Sequence, residues 1–171
     1  MALTERNGWQ RSWVRVVTTA LTAAMMVLIF FFSTETADRS DQTSGVITER
    51  VIDSFYPEYQ TSSPQRQKSI YDSVQHMVRK SAHFTEYAVL GILMRCCLES
   101  WFGKRKWLIP AAWACGTYYA GTDELHQMLI DGRSGQWSDV LLDSAGVLTG
   151  VLLISFIIRT AGRIRIRRKE S

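Results

Sequence analysis

An apolar run that begins at Trp107 closes on Tyr118-Tyr-Ala-Gly-Thr-Asp-Glu-Leu-His-Gln-Met-Leu-Ile-Asp-Gly-Arg133, which places Asp123, Glu124, His126 and Gln127 within five positions. A run of this length reads as a membrane span. Ionisable groups at membrane depth cost several kcal/mol unless they are paired or wetted, so they demand partners and mark a candidate functional site. Two other apolar runs offer them. His83-Phe-Thr-Glu-Tyr87 opens one, and Asp139 with Asp143 opens another. These three groups are expected to meet at one depth on one side of a membrane.

The bulk numbers fit that reading. The 171 residues, 46% hydrophobic and 21% charged, suit one domain over 1–171. The mean hydropathy of −0.06 averages very apolar blocks with a long polar segment. A net charge of +4 could point to nucleic acid, but the bases stand at the ends of apolar runs, as membrane topology requires. Nucleic acid is therefore not an expected partner; the lipid bilayer is. Cys96, Cys97 and Cys115 all fall inside apolar runs, so no disulfide framework follows.

The chain is expected to be all-α, an integral membrane bundle of four transmembrane helices over about 13–33, 81–101, 107–130 and 139–158. The first run exceeds the apolar core of a signal peptide, and Glu35 occupies the small-residue position before a cut after Ala37, so a retained span is expected. Arg15 is placed to snorkel to the inner surface. Segment 34–80 is polar and near neutral, with seven acids and six bases. Val46, Val51, Ile52, Phe55 and Tyr56 suggest a short amphipathic helix, 54–67 reads as loop with Pro57 and Pro64, and Ile70, Val74, Met77 and Val78 suggest a second helix. Phe102-Gly-Lys-Arg-Lys106 leaves room only for a tight turn between the second and third spans, and Pro110 falls harmlessly in the first turn of the third.

Orientation follows from the bases. The amino-terminal segment, the Lys104–Lys106 turn and the tail 159–171 together carry eleven Lys and Arg, and four spans put all three on one side. That side is expected to be cytoplasmic, with both termini, and 34–80 to be an extracytoplasmic loop.

Depth and face then agree. Asp123 comes 16 residues after Trp107, a rise of roughly 24 Å in a hydrocarbon core about 30 Å thick. His83, Glu86, Tyr87, Leu90 and Gly91 follow helical spacing, as do Tyr119, Asp123, His126 and Gln127, with Glu124 about 100° away. Asp139, Asp143, Gly146 and Gly150 line one face of the fourth span, and Gly146 with Gly150 has the spacing that lets helix backbones approach. Ala112, Gly116 and Ala120 give the third a similar seam. The result expected is a polar pocket open to the outer surface.

With these residues laid out, the chain resembles the VanZ-like family of small bacterial membrane proteins. The likeness rests on Lys80-Ser-Ala-His83-Phe84-Thr-Glu86-Tyr87, Tyr119-Ala-Gly-Thr-Asp123-Glu124-Leu-His126-Gln127, Gly132-Arg133, and Asp139 with Asp143 and Gly146, over roughly 75–155. Asp131 stands where the family often carries Pro before Gly-Arg. The resemblance implies a role at the cell envelope; the namesake is associated with resistance to glycopeptide antibiotics of the teicoplanin type.

Three readings of the cluster stay open. It can be a hydrogen-bonded network that only fixes helix packing. It can be a site for an outer-surface ligand, such as a lipid-linked cell-wall precursor or a lipoglycopeptide. Or it can be a membrane-embedded active site modifying a lipid or cell-wall precursor. Carboxylates and imidazoles at i, i+3 and i, i+4 suit metal ligation, but no HExxH or paired-cysteine pattern is present, so neither metal nor cofactor is expected. Ser138 reads as the N-cap of the fourth helix. Lys80 and Arg133 suit either headgroup anchoring or recognition of a carboxylate or phosphate, for which Arg133 offers a bidentate fork. The N-termini of the second and fourth spans are expected to add a field favouring an anion. Five carboxyls (Glu86, Asp123, Glu124, Asp139 and Asp143) crowd one depth, so some are expected to hold protons.

Overall fold

The computed structural model describes residues 2–34, 37–129 and 136–170, with side chains for 12–34, 44–129 and 136–161. Five helices follow one another: α1 (Ala2–Ser33), α2 (Ala37–Phe55), α3 (Pro64–Phe102), α4 (Leu108–Gln127) and α5 (Trp137–Glu170). No strand occurs among the described residues.

The polar segment between the first two apolar runs is more ordered than its sequence suggests. α2 is 19 residues long and packs through Thr48 and Ile52, one turn apart, both nearly inaccessible. The expected loop over 54–67 shortens to 56–63, because Pro64 starts α3 after Ser63 in an extended conformation. Proline has no N–H to lose there, and its fixed φ suits a first helical turn. Gln67 Nε2 donates to Tyr59 O at 2.9 Å and ties the loop to that turn. The expected second amphipathic helix and the second apolar run are thus one rod of 39 residues. Its length, roughly 58 Å, is nearly twice a hydrocarbon core. It ends at Gly103, whose φ of 71° favours glycine, and whose N–H returns to Glu99 O.

α4 starts with Pro110 in its first turn, as expected, and ends at Gln127. α5 starts at Trp137, so Ser138 lies inside the helix and not at its N-cap; its hydroxyl pairs with Gln136 Oε1 and Asp139 Oδ1.

Cross-helix contacts give the directions. Gly146 meets Phe84 O and Gly150 meets Ala88 O, so α3 and α5 run parallel. Thr18 and Thr19 bond Ser100 and Cys97, so α1 opposes α3. Met26 and Phe30 meet Tyr119 and His126, so α1 and α4 run parallel. A Cβ on Gly146 would sit 2.5 Å from Phe84 O, and one on Gly150 or Gly91 would overlap the carbonyl of Ala88 or Val147. The glycine seam is therefore used, with Gly91 contributing from the other helix. Ala112, Gly116 and Ala120 are buried, and Gly116 faces Val147. Tyr87, Leu90, Ala112, Ala120, Val147 and Val151 form the core with Ile29 of α1.

Ser12–Ser33 and Trp137–Ala161 are long and apolar enough to cross a membrane. α3 and α4 are less apolar because they carry ionisable groups, and several of those groups point inward. Arg95, Asp123 and Glu124 are buried, whereas Val89, Trp113, Tyr118 and Leu125 are exposed. At the far end of α1, Arg15 donates through Nε to Ser100 O at 3.0 Å and lies over the Trp101 ring. Its charge is used there to clasp α3.

Candidate functional site

The centre of the site is set by α3 and α4. Tyr87 has no accessible surface, and its hydroxyl donates to Asp123 Oδ2 at 3.1 Å. Gln127, one turn along α4, donates through Nε2 to the same oxygen at 3.0 Å. Asp123 Oδ1 is buried without a hydrogen-bond partner among the described residues, and so is Asp143 Oδ1 on α5. Two carboxyl groups therefore offer acceptor oxygens inside the bundle that no donor among the described residues uses.

The rim is built from helix ends. Lys80 of α3 pairs with Asp139 in the first turn of α5. Glu124, facing the start of α5, accepts the Gln136 backbone N–H at 2.6 Å. His83 Nδ1 lies 3.9 Å from Glu86 Oε2 on α3. A crevice of about 10 Å³ runs between Lys80, His83, Glu124, Gln127, Asp139 and Asp143, with Leu142 at its side. Such a volume admits about one water. Six of the expected site residues line the crevice, and they are packed tightly.

Two residues turn elsewhere. The Tyr119 hydroxyl donates to Met26 O at 2.6 Å, and the His126 ring stacks on Phe30 with centroids 4.6 Å apart. Both bind α4 to α1, so the face that Tyr119, Asp123, His126 and Gln127 share divides between two neighbours. His126 Nε2 is also buried without a partner among the described residues. Arg133 and its Gly132 lie outside the described residues.

The N-terminal field expected from the second span is remote, because α3 starts at Pro64, sixteen positions before Lys80, or roughly 24 Å. Among the described residues, only α5 brings a helix N-terminus to the cluster.

The arrangement is acid-rich: Glu124, Asp139 and Asp143 line the crevice with Lys80 and His83, Glu86 lies beside His83, and Asp123 is held behind them by Tyr87 and Gln127. It can accept hydrogen bonds from a polar group, and it can relay a proton between adjacent carboxyl and phenol groups. Among the described residues, no three His, Cys, Asp or Glu side chains converge to hold a metal ion.

A second ionic pair escaped the sequence reading. Arg95, only 6% exposed, places Nη1 2.7 Å from Glu99 Oε2 deep on α3. The signal was there: opposite charges at i, i+4 inside an apolar run have to pair with each other or with neighbours.

A family model described as VanZ/LLP1 matches residues 18–159. No curated protein and no solved structure matches the chain.

Proposed function

The chain belongs to the VanZ/LLP1 family, and we propose that it is a multi-pass protein of the bacterial cell membrane whose outer polar cluster binds or shields an envelope ligand. The alternating directions of α1, α3, α4 and α5 support four crossings with both termini in the cytoplasm. The eleven bases at the amino-terminal segment, the 104–106 turn and the tail agree with that orientation. The cluster then sits in the outer leaflet. The observation that carries the reading is the pair of buried acceptor oxygens on Asp123 and Asp143 beside the partly exposed Lys80–Asp139 rim. Buried acceptors with no donor among the described residues call for a partner, which an incoming polar group would supply.

The ligand that suits this position is the polar part of a lipid-linked cell-wall precursor or of a lipoglycopeptide, and holding it contributes to glycopeptide resistance. A second reading, a membrane-embedded enzyme acting on such a molecule, draws on the same two oxygens, which are placed to accept a proton. Expression-matched survival under a teicoplanin-type antibiotic tests the first. Arg133→Lys keeps the charge and loses the bidentate fork, so it should fold normally and lose protection. Wild-type survival in that variant, where the deletion strain is sensitive, removes Arg133 from recognition. Asp123→Asn separates the readings: a binding site tolerates it within about tenfold, whereas proton transfer loses a factor of about a hundred or more.

A further inference from the structure

A larger cavity opens behind the polar cluster, between α1, α2 and α3. Its volume is about 840 Å³, and Met25, Val51, Phe55, Val74, Ala82 and Val89 are among its walls. Glu86 is its one carboxyl-bearing lining residue among the described residues. Volumes of this size are typical of ligand sites.

We propose that this groove holds one hydrocarbon chain of a membrane lipid, with the lipid's polar head beside Glu86. The reach of the groove points to the occupant. From Val74 to Val89 it follows α3 for fifteen positions, roughly 22 Å, whereas one leaflet of hydrocarbon is about 15 Å deep. Val74, Met77 and Val78 precede the expected span at 81, so the upper wall stands clear of the bilayer. α2 is polar over most of its length, yet it turns Ile47, Val51 and Phe55 toward this wall. Ile47, Phe55 and Met77 remain more than half exposed. An extended chain covers that surface, and each methylene buried contributes about 0.8 kcal/mol. At the other end the groove descends to Met25 and Val89, at membrane depth, where lipid is the surrounding medium.

Glu86 joins the two cavities. It lines the groove, and its carboxylate lies 3.9 Å from His83, which lines the polar crevice. The Ser81 and Thr85 side chains also line the groove beside it. A head placed there meets hydroxyls and a carboxyl at the edge of the polar cluster. This inference deepens the proposed envelope-ligand role and rests on 81–101 crossing the bilayer with its amino-terminal end outward.

The experiment uses the purified full-length chain, delipidated in detergent and offered phosphatidylglycerol or a polyprenyl phosphate, with native mass spectrometry as the readout. Wild type should retain one lipid. Ala82→Trp and Val51→Trp, which fill the groove from opposite walls, should each weaken retention about tenfold or more. Leu152→Trp, on the exposed face of α5, should not. Retention of phosphatidylglycerol alone assigns the groove to acyl chains; retention of the polyprenyl phosphate alone assigns it to prenyl chains. No retained lipid, or equal retention by either folded groove variant, overturns the proposal. If Ala82→Trp aggregates, Val51→Trp carries the comparison. Survival under the antibiotic is scored in parallel. Retention lost with protection intact supports the groove while removing its link to resistance; protection lost at Arg133→Lys with retention unaffected by groove filling leaves the polar site and overturns the groove.

Discussion

The Tyr87 hydroxyl and Asp123 Oδ2 are 3.1 Å apart, both residues are buried, and their bond joins α3 to α4. Tyr87 presents its ring to the apolar core and its hydroxyl to the acid cluster. One side chain therefore couples the packing of the bundle to the chemistry of the site.

Removing that hydroxyl should be felt as stability. Tyr87→Phe keeps the ring and leaves Asp123 with Gln127 as its remaining donor among the described residues. The expected loss is about 1 kcal/mol, in the range of hydrogen bonds between membrane helices. Reversible unfolding in mixed micelles measures it. Unaltered stability would mean that water replaces the phenol without cost.

The glycine seam gives a larger effect. Gly150 lies against the Ala88 carbonyl, so any side chain must push α5 from α3. Gly150→Ile should still insert into membranes but melt at a distinctly lower temperature in detergent. A melting temperature equal to wild type would show that the two backbones do not approach in solution.

The inner ion pair behaves differently. Replacing Arg95 alone, as in Arg95→Leu, strands the Glu99 carboxylate among buried groups, at a cost of about 3 kcal/mol or more. The double variant Arg95→Leu with Glu99→Leu removes both charges and should recover most of that loss. If the double variant is as unstable as the single, the pair holds something beyond itself.

Much of this was legible because an apolar helix shows its inward face through its few polar and small residues. Spacing alone grouped Tyr87, Asp123 and Asp143 and marked Gly146 and Gly150 as contact points, since polar and small residues have few other uses in an apolar run. What escaped depended on choices that local sequence leaves open. Pro64 reads equally as the end of a loop or the start of a helix, and only its neighbours decide. His126 shares a helical face with Asp123, yet Phe30 of a distant helix draws its ring away. Arg95 and Glu99 stand four residues apart in the second apolar run, a spacing that makes them partners on a helix.

Orientation has a direct test. In a background without Cys96, Cys97 and Cys115, a cysteine at Ser62, in the turn before α3, should react with an impermeant thiol reagent on intact cells. One at Gly135, beyond the described residues, should do the same. One at Gly103, in the turn after α3, should react only after lysis. The reversed pattern would place the cluster in the cytoplasmic leaflet and end the outer-ligand reading.

The Lys80–Asp139 pair separates adhesive from site. It joins the upper part of α3 to the start of α5, with side chains 26% and 30% exposed, so solvent weakens it. Lys80→Glu alone sets two carboxylates against each other, and Asp139→Lys alone sets two ammonium groups. Each should lower stability by about 1 kcal/mol, the upper range for exposed pairs. Combining the two restores an ion pair between the same helices with its polarity inverted, and stability should return close to wild type. If the pair only holds helices together, protection against the antibiotic returns with stability. If the rim recognises a ligand, the exchange moves the positive charge from α3 to α5 and presents the wrong sign to the incoming group. The expected outcome is a folded, normally expressed double variant with the survival of the deletion strain. Full survival in that variant would assign Lys80 and Asp139 to packing alone and move recognition to the buried acceptors of Asp123 and Asp143.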